Sequence, residues 1–253
     1  MGTCHVVIET EPQSGVRNMA VDEALLEAAL EREECTVRWY RWRTGTVSVG
    51  YFQDGRAAAA IPGLAALPVV RRLTGGGAIL HHHEWTYSCA VPAEHPLAQT
   101  PLRIYELVHG QIIAALDEAG IHSAALRGAA VSGQQEAFLC FGRGDPRDVV
   151  LKGNKIVGSA QRRRRGAVLQ HGSLLLHRSE YAGQFPGVLD LAAGAALDDG
   201  FIVGLAESIG SLFGTPAIAR AHDRLVEDRV TRLEPRYQTL DWGRRVSNGD
   251  YGD

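Results

Sequence analysis

Four cysteines stand at positions 4, 35, 89 and 140, and their neighbours sort them by chemistry. Cys89 shares a strand face with Trp85, Tyr87 and Val91, and Cys4 shares one with Val6 and Ile8, so both read as small core residues. Cys35 follows Glu33-Glu34, whose charges disfavour a thiolate. Cys140 differs. Phe141-Gly142-Arg143-Gly144 follows it, within a stretch from Gly128 to Asp148 rich in Gly, Ser, Gln and Arg. Glycines give access and Arg143 gives positive potential, the two conditions a nucleophilic thiol needs. The same island, AFLCF, also fits a buried apolar strand, and the residues alone leave both readings open. No pair of cysteines has CxxC spacing, which argues against a zinc ribbon or a thioredoxin-type site.

Lysine is scarce. Among 26 basic residues only Lys152 and Lys155 are lysines, so these two positions draw attention as places where a compact, tunable ammonium is wanted. Arg71-Arg72 end a strand-like run and Gly75-Gly76-Gly77 follow, a pairing that suits a carboxylate, phosphate or pyrophosphate beside exposed backbone N–H groups. An ordinary glycine-rich turn with surface arginines fits equally. The run is neither GxGxxG nor a P-loop, which disfavours those nucleotide folds. In a strand, His81 and His83 would face one way and His82 the other. Glu84 is the one nearby carboxylate, and structural roles are expected for all three rings rather than a metal. Arg162 to Arg165 read as a solvated hairpin tip or as a docking site for an acidic partner.

These residues need a scaffold. CHVVIET, LPVVRRLT, AILHHH, WTYSCAVP and GAVLQHGSLLL read as strands. VRWYRWR and TVSVGYF are two further β-rich runs parted by a tight turn at Thr44-Gly45. DVVLKGNKIVGSAQ reads as a hairpin turning at Gly153-Asn154. Val16 to Glu33 and Pro101 to Ala119 carry helical spacing, and from Ser179 onward the chain reads as mostly helical, clearest in GFIVGLAESIGSLFG and AIARAHDRLVEDRV. The interleaving predicts an α+β fold: a mixed, largely antiparallel sheet with flanking helices. A chain of 253 residues with 45% hydrophobic content can bury a sizeable core, and a net charge of −3 gives no global nucleic-acid footprint. No apolar run approaches the roughly 20 residues of a membrane helix. The acidic N-terminus does not read as a signal peptide. The expected compartment is therefore the cytoplasm, with reduced thiols.

Together, RNMAVDEALL, RWRTGTVSVGYFQ, VVRRLTGGGAILHHHEWTYS, NKIVGSAQRR and AVLQHGSLLL resemble, in order, the biotin/lipoate protein ligase and octanoyltransferase superfamily. The resemblance spans about residues 15 to 177; RYQTLDW resembles the family's closing segment, and the rest of the C-terminal third matches weakly. It implies one catalytic domain over residues 1–253, with a large mixed sheet, a smaller sheet and flanking helices. It further implies an acyl tunnel in which Arg71, Arg72, Gly75, Gly76, Gly77, Ala78, His81, Gly158, Ser159, Ala160, His171 and Gly172 hold substrate. LCFGRGDPRDVVLKGNKIVGSAQ is similar to the transferase branch whose Cys-Phe pair precedes the lysine, which makes Cys140 the nucleophile and Lys155 its activating lysine. The other transferase branch places its cysteine after the lysine, where this chain has LQHGSLLL. The implied reaction moves an octanoyl group from acyl carrier protein, through a cysteine thioester, to a lysine of a glycine-cleavage H protein or a dehydrogenase lipoyl domain, without cofactor or metal. GRGDPRD instead resembles the Arg-Asn-Asp segment of ligases, so an ATP-dependent lipoate or biotin-type ligase stays open, as does a non-catalytic acyl-binding protein. The chain is short for the accessory C-terminal domain that ligases commonly carry, although some keep it on a separate polypeptide.

Overall fold

A computed structural model describes residues 2–129, 138–142, 144–219 and 221–242. The chain begins with strand β1 (Thr3–Ile8) and helix α1 (Gly15–Glu31), whose first turn is capped by Ser14 accepting from the Arg17 N–H at 3.2 Å. Strands β2 (Cys35–Tyr40), β3 (Thr46–Val49), β4 (Val69–Arg71), β5 (Ile79–His81) and β6 (Glu84–Val91) follow, then helix α2 (Pro101–Glu118). Next come β7 (Ala125–Leu126), β8 (Val149–Leu151), β9 (Asn154–Arg164) and β10 (Ala167–Leu175). The chain closes with α3 (Val188–Leu191), α4 (Asp199–Ser211), β11 (Thr215–Ala219) and α5 (Arg224–Tyr237).

Eight strands form one sheet in the order β11-β1-β2-β6-β10-β9-β8-β7, and three form a second in the order β4-β3-β5. The large sheet is mixed. β1 pairs in parallel with both β11 and β2, and the pairs from β2 to β7 are antiparallel. Its central strands are covered on both faces, so β6 and β10 are buried along their whole length. On one face, Trp85, Tyr87, Cys89 and Val91 pack with Ile104, Val108 and Ile112 of α2 and Ile202, Leu205 and Ile209 of α4. On the other, Ala90 and Leu169 meet α1, which is itself covered by Val226, Val230 and Leu233 of α5. Arginine carboxylate pairs tie these two helices together: Arg17 to Glu227 at 2.8 Å, Arg232 to Glu27 at 2.7 Å and Arg236 to Glu23 at 2.8 Å. Arg17, Arg232 and Arg236 thus serve helix docking.

The α+β class, the larger and smaller sheets and the flanking helices agree with the sequence reading. Three local expectations are corrected, and one gains detail. The two β-rich runs parted at Thr44-Gly45 enter different sheets, β2 the large one and β3 the small one. The β8–β9 turn is centred on Lys152-Gly153 rather than Gly153-Asn154, with φ of +49° and +78°, the left-handed pair a two-residue hairpin needs. Of the three histidines only His81 lies in a strand; His82 and His83 form the turn into β6, and their rings stack on each other. The segment AIARAHD is not helical throughout: Ala217 to Ala219 end β11, and α5 begins at Arg224.

Candidate functional site

Ala78 fixes the place of Cys140. Its N–H donates to the Phe138 carbonyl at 2.9 Å, and its carbonyl accepts from the Cys140 N–H at 2.6 Å. This is a parallel bridge around Leu139. Cys140–Gly142 then turns as a short 3₁₀ helix, and Phe141 is buried against Ile79, Leu175 and Phe185. The thiol therefore sits between two anchors, on neither an open loop nor a buried strand. It is half-buried, whereas Cys4, Cys35 and Cys89 are buried. Burial pushes the Cys4 and Cys35 thiols up to about 12, and the Cys89 thiol well above its ordinary value. For Cys35 the cause is burial rather than the adjacent glutamates expected from the sequence. Arg143 lies outside the described residues.

Lys155 reaches Cys140 from β9. Its Nζ lies 3.8 Å from the Cys140 Sγ and 3.4 Å from the Cys140 carbonyl oxygen. The buried Asp148 carboxylate, 2.9 Å away, is its counterion. Asp148 is held in turn by the Asp145 N–H at 2.8 Å, and burial raises its pKa against the opposing pull of Lys155. A bulge opposite Val149 and Val150 breaks the alternation of β9. The lysine side chain consequently lies over Gly158, where an added Cβ would stand 2.4 Å from its Cε and 2.8 Å from its Nζ. Glycine at 158 is thus what leaves room for the ammonium.

The glycine-rich loop is held from behind. Arg72 donates to the carbonyls of Gly75 and Gly77, both at 2.7 Å, and to the Ser48 carbonyl at 2.9 Å. Arg71 donates to the carbonyls of Gly50, Tyr51, Gln53 and Leu240. Among the described residues both guanidiniums thus engage backbone carbonyls around the loop, and Arg72 also donates to the Thr74 and Ser48 hydroxyls. Gly76 has φ +91°, and its carbonyl lies so near Gly50 that a Cβ there would sit 2.2 Å away. Among the described residues, nothing lies within 4 Å of a Cβ added at Gly75. His81 stacks on Trp42 and binds Ser48 at 2.8 Å and Glu84 at 2.7 Å, so its contacts lie within the protein. His171 links the loop to α1, with Thr74 at 2.7 Å and Asp22 at 3.0 Å.

Ser159 and Gly172 stand opposite each other on β9 and β10, as do Ala160 and His171. An ordered chain runs through Ser159. Gln170 donates to the Tyr87 hydroxyl at 2.8 Å, Tyr87 pairs with Ser159 at 2.6 Å, and Ser159 pairs with His109 Nε2 at 2.7 Å. His109 Nδ1 donates to the Arg147 carbonyl, so in the neutral ring Nε2 is the acceptor for the Ser159 hydroxyl. Burial lowers the His109 pKa to about 4. The unfolded chain therefore binds a proton that the folded one refuses, starting near pH 6.5. Stability that is complete above pH 6.5 should fall as pH drops toward 4, by roughly 3 kcal/mol from this ring. Denaturant titrations at both ends of that window should show the loss in wild type and a smaller one in His109→Gln. Equal losses would remove His109 from the account.

Asp148, His109 and Asp22 were not singled out in the sequence. His109 offered a faint signal, since it lies on the buried stripe of α2 with Ile112 and Leu116. Among the described residues, then, Cys140, Lys155, Asp148 and Gly158 form one cluster. Ala78 ties it to the glycine loop, while Arg72, Thr74 and His171 brace that loop. Arg71 instead reaches toward Tyr51 and Leu240.

A family model described as the lipoyl protein ligase A/B catalytic domain matches residues 14–191. Octanoyltransferase LipM of Brevibacillus brevis is 36% identical over 179 residues, covering 67% of this chain and 64% of the relative. Octanoyltransferase LipM of Clostridioides difficile is 33% identical over 175 residues, covering 67% and 65%. The matched region spans just under two thirds of the length of these relatives. Among solved structures, a lipoate-protein ligase A bound with ATP superposes with a TM-score of 0.70 at 19% identity, over 96% of this chain and 98% of that one. A chain from the bipartite lipoate protein ligase and E2 lipoyl domain of Thermoplasma acidophilum gives 0.66 at 18% identity, over 97% and 99%. At such identity these two structures speak for the fold.

Proposed function

Because the chain belongs to the lipoyl protein ligase A/B catalytic domain family, we propose that it carries octanoyl groups from octanoyl-acyl carrier protein to a lysine of a lipoyl-accepting protein, by way of a thioester on Cys140. The observation that carries this reading is the Lys155 ammonium 3.8 Å from a half-buried thiol. A ligase that only adenylates free acid has no use for that sulfur.

The Cys140 thiolate, 3.8 Å from the Lys155 ammonium, adds to the donor carbonyl. The bond to the carrier's phosphopantetheine sulfur breaks, and that thiolate leaves and takes a proton. The acceptor amine then adds to the Cys140 thioester, the amide forms, and the Cys140 sulfur departs with the bonding pair. In both steps Lys155 faces the oxygen on which negative charge develops, and Asp148 holds it there. The octanoyl chain is assigned to the side of the Cys140 sulfur that faces the Gly75-Gly76-Gly77 loop, away from the Lys155 side chain over Gly158. Thioester exchange is near-isoenergetic and amide formation is downhill, so neither step calls for ATP. Purified chain, octanoyl-acyl carrier protein and a lipoyl-accepting protein should yield octanoylated acceptor without nucleotide. Transfer that appears only with free octanoate and ATP would replace this reading with the ligase.

The arginine run at the β9–β10 tip divides by contact. Arg162 lies over the Tyr51 ring at 4.8 Å, and Arg164 faces Glu23 at 3.6 Å. Arg163 and Arg165 are exposed, with Arg165 in the turn at φ +47°. We assign this tip to steering of acidic carrier proteins. Exposed charges act chiefly on association and are screened over about 8 Å at physiological salt. Arg163→Ser with Arg165→Ser should lower kcat/KM and flatten its salt dependence while leaving kcat nearly intact. An unchanged salt profile would remove the role.

A further inference from the structure

His82 and His83, which the β5–β6 turn displays together, meet the loop after β10. His82 Nδ1 lies 3.3 Å from the Glu180 Oε2, and His83 Nε2 lies 3.8 Å from the same oxygen. These three donor atoms all fall within 4.8 Å of one another. Tetrahedral Zn²⁺ with bonds near 2.0–2.1 Å places its donors about 3.3 Å apart, so small side-chain shifts close the set around an ion. His82 stacks on His83 with centroids 3.7 Å apart and packs near Tyr181 at 5.6 Å, so one ring must turn for both in-plane lone pairs to meet a single ion. The Ser179 hydroxyl, 3.1 Å from His82 Nδ1, is a neutral partner that an ion would displace.

We propose that His82, His83 and Glu180 form a binding site for a divalent transition-metal ion, with Zn²⁺ as its best match. Imidazole and carboxylate donors suit zinc, whereas Mg²⁺ and Ca²⁺ require oxygen shells. The glutamate that completes the set is Glu180, about a hundred residues on, while the sequence neighbour Glu84 is buried on His81. Its location gives the ion a consequence. His82, His83, His177 and Ser179 rim an apolar pocket whose walls include Leu139, Phe141 and Phe185, the residues flanking Cys140 among them. An ion held there joins the β5–β6 turn to the loop that carries Phe185, and so stiffens a wall next to the thiol.

Calorimetric titration of the full chain with ZnCl₂ tests the site. Wild type should bind Zn²⁺ and gain in Tm on saturation. His83→Ala and Glu180→Gln, both at exposed positions, should weaken that binding by about tenfold or more, at least the cost of disturbing a ligand's outer partners, and should lose the Tm gain. Cys140→Ala should retain it, since a free thiol is the obvious competing ligand. Wild-type affinity in both ligand variants would overturn the proposal, as would a binding isotherm that vanishes with Cys140→Ala.

Discussion

Lys155→Arg should reduce acyl transfer by roughly 10²-fold or more, while Lys152→Arg stays within about twofold of wild type. The contrast follows from the two environments. Lys155 is buried, threads over Gly158 with no room to spare, and ends between Asp148 and the Cys140 sulfur. A guanidinium is planar and broad, and keeps its charge spread over three nitrogens. In that slot it would either displace the Cys140 turn or fill acyl space. Lys152 is exposed in the hairpin turn and donates to the Leu191 carbonyl at 2.7 Å, a bond arginine can replace. Steady-state transfer assays on the two variants give the comparison. Lys155→Ala should also slow iodoacetamide alkylation of Cys140 at neutral pH, because the thiolate loses its neighbouring cation. A fully active Lys155→Arg would mean that charge alone suffices, and an unchanged alkylation rate in Lys155→Ala would separate the lysine from the thiol's reactivity.

Cys140→Ala should abolish transfer and leave the fold intact. The turn is pinned by backbone bonds from Ala78 and by the buried Phe141 ring, neither of which involves the sulfur. The stability change should therefore stay small, about 1 kcal/mol or less. Cys140→Ser keeps the shape but replaces the thiol with a hydroxyl that ionises far less readily, so it should lose nearly as much activity. Transfer assays with melting curves on the same samples separate loss of chemistry from loss of fold. Wild-type rates in Cys140→Ala would remove the nucleophile from the mechanism.

The pairing of Cys140 with Lys155 was legible because both lie within one ordered run of motifs, and the structure brings their side chains to 3.8 Å. Asp148 was not, since GDPRD reads as a polar turn and nothing local says that its carboxylate is buried. The arginines beside the glycine loop fit two readings in the sequence for a related reason. A guanidinium next to glycines suits an anionic ligand, but the same glycines bare carbonyl oxygens, and Arg72 is bonded to two of them. Strand β11 escaped notice because it is five residues long, contains Pro216 and sits on the edge of the sheet beside β1, which lies two hundred residues away. The bulge in β9 was equally hidden: strict alternation would separate Lys155 from Gly158, and the irregular register brings them together.

Intact-protein mass spectrometry bears most directly on the thioester. The chain is incubated with octanoyl-acyl carrier protein, without acceptor and without ATP, then quenched in acid. The account predicts a gain of one octanoyl group, localised by fragmentation to the peptide that contains Cys140 and absent from Cys140→Ala. Hydroxylamine should remove it. An unmodified mass under conditions in which added acceptor becomes octanoylated, or an octanoyl group found on a residue other than Cys140, would contradict it.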